Sequence, residues 1–290
     1  MIDLEQAARI YRETQINLCQ GLAEVDGGTF HPDIWTRDGG GGGDSRVLEG
    51  DGSLEKSAVL FSDVWGETPE RLSESVAADS RSFRATGIST IVHPRNPHAP
   101  TVHANLRCFR LDNGEGWFGG GVDLTPFYLY EEDARDFHGA LRAVCGRHPV
   151  ADYAGWKKAC DDYFFLPHRG EARGIGGIFF DHVDAPGMLE FQRDLGATLL
   201  EVYLTILGRR IDISYGPDEE AWHLIRRGRY AEFNLVWDRG TRFGLETAGR
   251  TESILSSLPP RVRWDYQNQP GPGTVEARLV DLLRADPRDW

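Results

Sequence analysis

Three histidines lie close together in residues 93–107, with asparagines and arginines among them. His93, His98 and His103 share this stretch with Asn105 and Arg107, and three prolines lie between them. Histidine is the side chain that changes protonation near neutral pH, so such a group can relay protons or bind a metal ion. So many polar, proton-active groups in one short segment are hard to explain by packing alone.

The spacing of the histidines leaves several interpretations open. His93 and His103 are ten residues apart across the proline-rich turn, so paired strands can make them face each other. That geometry suits a metal pair or a proton relay, which His138 and His168 can join only through the fold. The plainer alternative is that most of these histidines hydrogen-bond backbone groups at the ends of loops.

An aspartate follows an aromatic and glycine-rich segment. Asp123 comes directly after residues 117–122, in which successive glycines let a flat ligand approach the backbone closely. We therefore interpret Asp123 as a candidate base. The alternative is that Asp123 caps the following turn or helix, and the two roles are compatible.

Arginines stand near both of these segments. Arg107 ends the histidine segment, and Arg169 and Arg173 precede the glycine-rich residues 174–177. Because the planar guanidinium matches a carboxylate with two hydrogen bonds, several arginines aimed at one pocket indicate a ligand with several carboxylates. Each arginine can equally be a surface ion-pair partner that contributes little.

Two further segments are candidates for binding an anion. The five glycines at 39–43 can let backbone N–H groups approach an anion or can simply be flexible, and no lysine with serine or threonine follows, which argues against a phosphate loop. Residues 228–240, followed by 247–255, predict a strand and an anion-binding turn before a helix.

The composition is that of an ordinary folded protein with an acidic surface. The 290 residues are 40% hydrophobic, and the net charge of −13 argues against a nucleic-acid partner. The four cysteines match no zinc spacing, and no apolar run reaches the length that spans a bilayer. We expect reduced thiols, a cytoplasmic location and no membrane insertion.

Periodicity predicts a strand-rich first half and a helical second half. Apolar residues at helical spacing predict a helix in residues 1–26. Residues 46–48, 57–64, 88–92, 105–110 and 117–122 predict strands of an antiparallel meander. Helices are predicted at 130–147, 152–165, 187–209 and near residue 290, with further strands at 174–180 and 230–237.

Taken together, these segments resemble the oxygen-dependent coproporphyrinogen III oxidases. The resemblance covers the glycine run at 39–43 and residues 93–107, 117–128, 160–180, 230–264 and 288–290. It implies an α+β fold in one domain, residues 1–290, with a large flat antiparallel sheet covered by helices on both faces, assembled as a homodimer. It also implies oxidative decarboxylation of two propionate side chains of coproporphyrinogen III to vinyls, giving protoporphyrinogen IX, CO2 and H2O2. Dioxygen would be the co-substrate, without an organic cofactor.

The resemblance also implies roles for individual residues. Asp123 would hold or deprotonate the pyrrole nitrogens, and His103 would be the proton donor. Arg107 and Arg173 would bind propionates within a substrate site lined by Ser89, Asn105, Leu106, Arg107, Arg173, Ala248, Gly249 and Arg250. The positions described as ligands of a divalent metal such as Mn in bacterial members are His93, His103, His138 and His168.

The chain departs from the family pattern at a few positions. It has Asp181 and His182 where two acids are usual, Ala248 where glycine or proline is usual, and Trp65 where histidine is common. An indole can fill the space of a macrocycle or stack on its edge, so Trp65 bears most on the substrate. Two alternatives therefore stand beside the family's reaction. One is a paralogue that oxidatively decarboxylates another carboxylate-bearing substrate, and the other is a non-catalytic tetrapyrrole or metal binder.

Overall fold

A seven-stranded antiparallel sheet is the centre of the structure, a computed structural model that describes residues 2–68, 80–246 and 249–290. The first six strands form a meander, which confirms the prediction, and the seventh lies beside β6. In sheet order the strands are β1 (His31–Thr36), β2 (Gly41–Glu49), β3 (Leu54–Glu67), β4 (Ser82–Pro94), β5 (Thr101–Leu111), β6 (Gly116–Thr125) and β9 (Gly177–Val183). A separate hairpin pairs β7 (Phe165–Leu166) with β8 (Glu171–Ala172).

Alternation along the strands gives this sheet two chemically different faces. Ile88, Leu106 and Val122 point to one face, where they are buried in the main hydrophobic cluster. Because successive side chains point to opposite sides of a strand, Ser89 and Asp123 point to the other face. We call these the core face and the polar face.

Helices cover both faces, as the predicted fold class requires. On the core face, α1 (Leu4–Asp26) packs on β3, β4 and β5 and against α4 (Met188–Arg210). On the polar face, Tyr230 packs against Ala58 and Ile91. The remaining helices of the described residues are α2 (Glu131–Arg147), α3 (Tyr153–Tyr163), α5 (Pro217–Glu232), α6 (Arg239–Glu246), α7 (Thr251–Leu255) and α8 (Val275–Arg284).

One predicted element, the strand at residues 230–237, is wrong. Helix α5 extends to Glu232 and runs into a π-helical turn, Phe233–Trp237. Tyr230, Phe233 and Asn234 are buried at the spacing of one helix face, whereas residues 235–237 are exposed. Aromatic and β-branched residues give this segment the composition of a strand, and the packing of Tyr230 on the sheet favours the helix instead.

Two other expectations can be compared with the structure. The glycine run at 39–43 belongs in part to a paired strand, because Gly42 and Gly43 of β2 are in register with both β1 and β3, and Gly41 is in register with β3. No helix in residues 2–68, 80–246 and 249–290 has the length and apolar content needed to cross a membrane.

Replacing Gly177 by alanine tests how closely β9 packs beside β6, where it is in register with Asp123. A Cβ at position 177 would lie 1.9 Å from the carbonyl oxygen of Val122, so the backbone would have to shift. We expect Gly177→Ala to lower the free energy of unfolding by about 1–3 kcal/mol in urea denaturation. The control is Gly139→Ala in α2, where nothing lies within 4 Å of the new Cβ and stability should rise by about 0.5–1 kcal/mol. Equal stability of the two variants would contradict this packing.

Candidate active site

Strand β5 carries the side chains around which the candidate site is built. His103, Asn105 and Arg107 alternate with core residues, so all three point to the polar face. In register with them on β6 are Asp123, Gly121 and Gly119, respectively. The site is therefore a row of three polar side chains beside a strand that carries two glycines and one carboxylate at the paired positions. Ser89 of β4, in register with Asn105, extends the row.

Asp123 is held by two charged or polar neighbours. Its Oδ1 accepts a hydrogen bond from His103 Nδ1 at 2.8 Å, and its Oδ2 accepts one from Arg173 Nη2 at 2.5 Å. The Asp123 and Arg173 residues are each only 2% exposed. Each oxygen of the carboxylate therefore has a partner within the protein, and water has almost no access to it.

The charge of Asp123 survives its burial because of these neighbours. Burial by itself raises the pKa of Asp123, but the charge of Arg173 and the hydrogen bonds from His103 and Arg173 outweigh burial. The pKa of Asp123 is consequently lowered below its ordinary value of 3.8. At neutral pH this carboxylate is ionised and can only accept hydrogen bonds.

The ionised Asp123 carboxylate determines which nitrogen of the neutral His103 ring carries the proton. An ionised carboxylate accepts, so Nδ1 of His103 is the protonated nitrogen and Nε2 has a free lone pair. The side chain of His103 is 22% exposed. The edge of its ring contacts Phe164, with the ring centres 6.1 Å apart. His103 can therefore take up or deliver a proton through Nε2 while Nδ1 stays bonded to Asp123.

Arg173 is enclosed by protein on all sides. Its Nη1 donates to Asn234 Oδ1 at 2.8 Å. Its guanidinium carbon lies 4.0, 4.5 and 4.9 Å from the ring centres of Phe164, Tyr230 and Phe233, respectively. The Arg173 guanidinium has no exposed surface that could support the prediction that it binds a propionate. Its contacts instead hold it against Asp123.

Arg107, unlike Arg173, reaches solvent. Its side chain is 40% exposed, and its Nη2 lies 2.8 Å from Asp181 Oδ2 on β9. Its Nη1 lies 3.5 Å from Asn105 Oδ1, at the limit of a hydrogen bond. Arg107 is thus the cation of the polar row that a ligand can contact.

Residues 249–257 lie over the polar face near β1 and β2. Arg250 pairs with Asp33 of β1. Ser253 Oγ of α7 lies 2.9 Å from Ser45 Oγ, and Ser45 is in register with Asp33. The predicted site residue Arg250 is therefore brought to the same face as Ser89 and Asn105, although it is bound to a carboxylate of the sheet.

Leu106, Gly249 and Ala248 complete the predicted lining. Leu106 points to the core face beside Ile88, with which it is in register, so only its backbone borders the polar face. The backbone N–H of Gly249 donates to the carbonyl oxygen of Gly244 at 2.8 Å. Ala248 lies outside the described residues.

Trp65 lies away from the polar face. It is in register with Arg84, and alternation places both side chains on the core face, opposite Ser89. The Arg84 guanidinium lies 5.6 Å from the Trp65 ring centre and pairs with Asp63 and Glu5. The indole at this position therefore takes no space above Ser89.

The four histidines predicted as metal ligands do not converge. His93 is fully buried, with Nδ1 3.1 Å from Thr101 Oγ1 and Nε2 3.0 Å from the carbonyl oxygen of Ser257. This burial lowers the pKa of His93 well below 6.5 and keeps the ring neutral. His93 thus connects the end of β4 to the segment that covers the polar face.

The other two histidines have structural partners at separate places. His138 contacts the Tyr153 hydroxyl at 3.1 Å and a backbone carbonyl, and burial lowers its pKa to about 4. His168 donates from Nε2 to Glu232 and accepts at Nδ1 from Trp237. In the described part of the chain, no three histidines, cysteines, aspartates or glutamates are grouped to hold a metal ion. The predicted set therefore does not fit a metal.

A cavity of about 540 Å³ lies between α3 and the last residues of the chain, apart from this site. Its charged lining residues pair with one another, as in Lys157 with Asp161 and Arg142 with Asp289. None of the predicted site residues lines this cavity.

The sequence did not point to Asn234 and Phe164, which complete the surroundings of Arg173. Asn234 follows Tyr230 by four residues, and that helical spacing was the available signal for placing both on one side. Phe164 lies one residue before the end of the helix predicted at 152–165 and gives no such signal. Asp181 stood out only as half of an altered two-acid pattern, and no spacing relates it to Arg107.

The polar face carries a hydrogen-bonded histidine–aspartate pair and, on the same strand as the histidine, an accessible cation. Such a site suits acid–base chemistry on an anionic small molecule. A family model described as coproporphyrinogen III oxidase matches residues 6–290. The chain therefore belongs to the coproporphyrinogen III oxidase family, oxygen-dependent oxidoreductases of haem biosynthesis. This confirms the predicted family and the prediction of an enzyme.

Removing the Arg173 charge tests whether it holds Asp123 ionised. Arg173→Met leaves a buried carboxylate without its cation, so the free energy of unfolding at pH 7 should fall by about 3–5 kcal/mol. Because the pKa of Asp123 is lowered in the folded protein, the stabilisation is present above 3.8 and is lost as pH falls through the folded value. The difference between wild type and variant should therefore be smaller at pH 3 than at pH 7.

The control for this variant is Arg135→Met, which removes an exposed arginine paired with Glu131. We expect it to change the free energy of unfolding by less than about 0.5 kcal/mol. Denaturant titrations at several pH values measure both effects. A stability difference for Arg173→Met that stays constant from pH 7 to pH 3 would contradict the role of Arg173.

Proposed function

We propose that this enzyme converts coproporphyrinogen III to protoporphyrinogen IX. In each of two steps, a propionic acid side chain and one dioxygen give a vinyl group, CO2 and H2O2. The substrate loses the carboxyl carbon and two hydrogens, and dioxygen is reduced by two electrons. The observation that carries the proposal is the His103–Asp123–Arg173 arrangement next to accessible Arg107, in a chain of this family.

In this reaction the protein has to position the substrate and to control the transfer of protons. A porphyrinogen is electron-rich and reacts with dioxygen itself once a pyrrole N–H is deprotonated, so no organic cofactor is required. In this proposal His103 Nε2 exchanges protons with the substrate. Asp123 acts through His103, because both of its oxygens are occupied and it is buried. We therefore replace the predicted contact of Asp123 with the pyrrole nitrogens by a positioning role.

Arg107 is the residue that we assign to a substrate carboxylate. It is the accessible cation in the row formed by His103, Asn105 and Arg107. The space above Gly119 is filled by the pair of Arg107 and Asp181, so a substrate that reaches this part of the strand must displace part of that pair. Ser89 and Asn105 offer polar groups at the same level of the sheet. Arg173 stays within the protein as the counter-ion of Asp123.

We also propose that residues 1–290 form one domain that assembles as a homodimer in the cytoplasm. The single large sheet supports one domain, since α1 packs on it and Leu282 of α8 packs against the same hydrophobic cluster. Cys19, Cys108, Cys145 and Cys160 are buried and unpaired, as expected of a reducing compartment. Light scattering during gel filtration would measure the number of chains per particle.

Product analysis tests the reaction directly. Purified protein is incubated aerobically with chemically reduced coproporphyrinogen III, and the porphyrins are separated after oxidation and weighed by mass spectrometry. We expect loss of two carboxyl groups as CO2, together with peroxide. Asp123→Ala should lower kcat by at least about a hundredfold, because His103 loses its orienting partner. Folded wild-type protein that leaves the substrate unchanged would refute the proposal.

Chelation tests the conclusion that the histidines do not form a metal site. Dialysis against a strong chelator should leave kcat and KM largely unchanged, because no step of the proposal uses a metal. The predicted ligands His93 and His138 bond to protein groups instead. A complete loss of activity that returns with a divalent metal would contradict this conclusion.

A further inference from the structure

Arg107 has a carboxylate partner across strand β6. Its Nη2 lies 2.8 Å from Oδ2 of Asp181, and the two side chains are 40% and 28% exposed. An ion pair that is this exposed to water contributes little to the free energy of folding, so one partner can be replaced by another group of the same charge. A ligand carboxylate that takes the Arg107 guanidinium must therefore displace Asp181 or share the guanidinium with it.

The pair lies directly on the backbone of Gly119. A Cβ at Gly119 would lie 2.6 Å from Asp181 Oδ1 and 2.8 Å from Arg107 Nε, so the pair uses the space that a side chain would fill. Asp181 Oδ1 also accepts the backbone N–H of His182 at 3.0 Å. His182 has a φ of 53°, and its ring stacks on Trp117 with the centres 4.7 Å apart. The carboxylate of Asp181 is thus held beside Arg107 from the β9 side.

We propose that Asp181 is a specificity residue that limits Arg107 to one ligand carboxylate. This rests on the proposed function, in which Arg107 binds an acidic arm of the substrate. One carboxylate can replace Asp181 at the guanidinium. A second acidic arm on the same pyrrole ring would bring another negative charge next to Asp181, while Arg107 is already paired with the first arm. Like charges at this distance disfavour binding, so the site prefers rings with one acidic arm to rings with two.

The test compares two porphyrins that differ in the number of acidic arms on each ring. Coproporphyrin III has one per ring and uroporphyrin III has two, and both are fluorescent, so titration gives a Kd for each. Asp181→Asn removes the charge at the same size. The control, Asp184→Asn, removes the same charge at an exposed position three residues along the chain. Thermal melts of both variants verify that they are folded.

We expect Asp181→Asn to tighten coproporphyrin III binding by about two- to fivefold, the effect of removing an exposed competitor. Uroporphyrin III binding should tighten by at least about tenfold, because a like-charge contact is removed as well. Asp184→Asn should change both Kd values by less than about twofold. The inference would be overturned if Asp181→Asn lowered the Kd of the two porphyrins by the same factor, or lowered neither Kd by more than the control does.

Failure of this inference can be told apart from failure of the proposed function. The porphyrins are already oxidised and undergo no turnover, so their binding does not depend on decarboxylation. Unchanged porphyrinogen with the expected Kd changes would refute the reaction and support the role of Asp181. Normal decarboxylation with an Asp181→Asn variant that behaves like the control would refute only the role of Asp181. Wild-type protein that binds neither porphyrin would overturn this inference, because Arg107 would then not be a carboxylate site.

Discussion

The buried ion pair of Asp123 and Arg173 is the constraint on which the rest of the site depends. Removing either charge from water costs several kcal/mol unless the partner is correctly placed. Arg173 follows β8, Asp123 lies on β6, and Asn234 lies in the π-helical turn. These three parts of the chain must therefore meet at one point. The same contacts leave one oxygen of Asp123 for His103, which fixes the orientation of that ring.

The polar face carries two ion pairs that differ in their exposure to water. The pair of Asp123 and Arg173 is almost fully buried, whereas the pair of Arg107 and Asp181 reaches solvent at the level of Gly119. A buried pair that loses one partner is strongly destabilised, while an exposed pair can be replaced at little cost. The structure thus separates the buried residues that orient His103 from the exposed arginine that we propose as the contact of a substrate carboxylate.

The sequence predicted the elements of this fold better than it predicted the partners of the charged residues. Alternation and helical spacing identified the meander and most helices, because both periods follow from local burial. They failed at residues 230–237, where packing of Tyr230 on the sheet decides the structure. The pairing of His103 with Asp123 depends on strand register, and the burial of Arg173 depends on elements distant in sequence. An arginine near glycines therefore suggested a ligand contact, whereas Arg173 is bound to Asp123 inside the protein. Dispersed histidines suggested a metal site, but they are not grouped in the described part of the fold.

The protonation of His103 is the most direct measure of this account. In protein labelled with 15N histidine, long-range proton–nitrogen NMR spectra distinguish the two neutral forms of each ring. Because ionised Asp123 accepts from Nδ1, the neutral His103 ring should be protonated at Nδ1 and unprotonated at Nε2, and Asp123→Ala should abolish this preference. A neutral His103 protonated at Nε2 in the wild-type protein would contradict the account, since the substrate would then face a nitrogen unable to accept a proton.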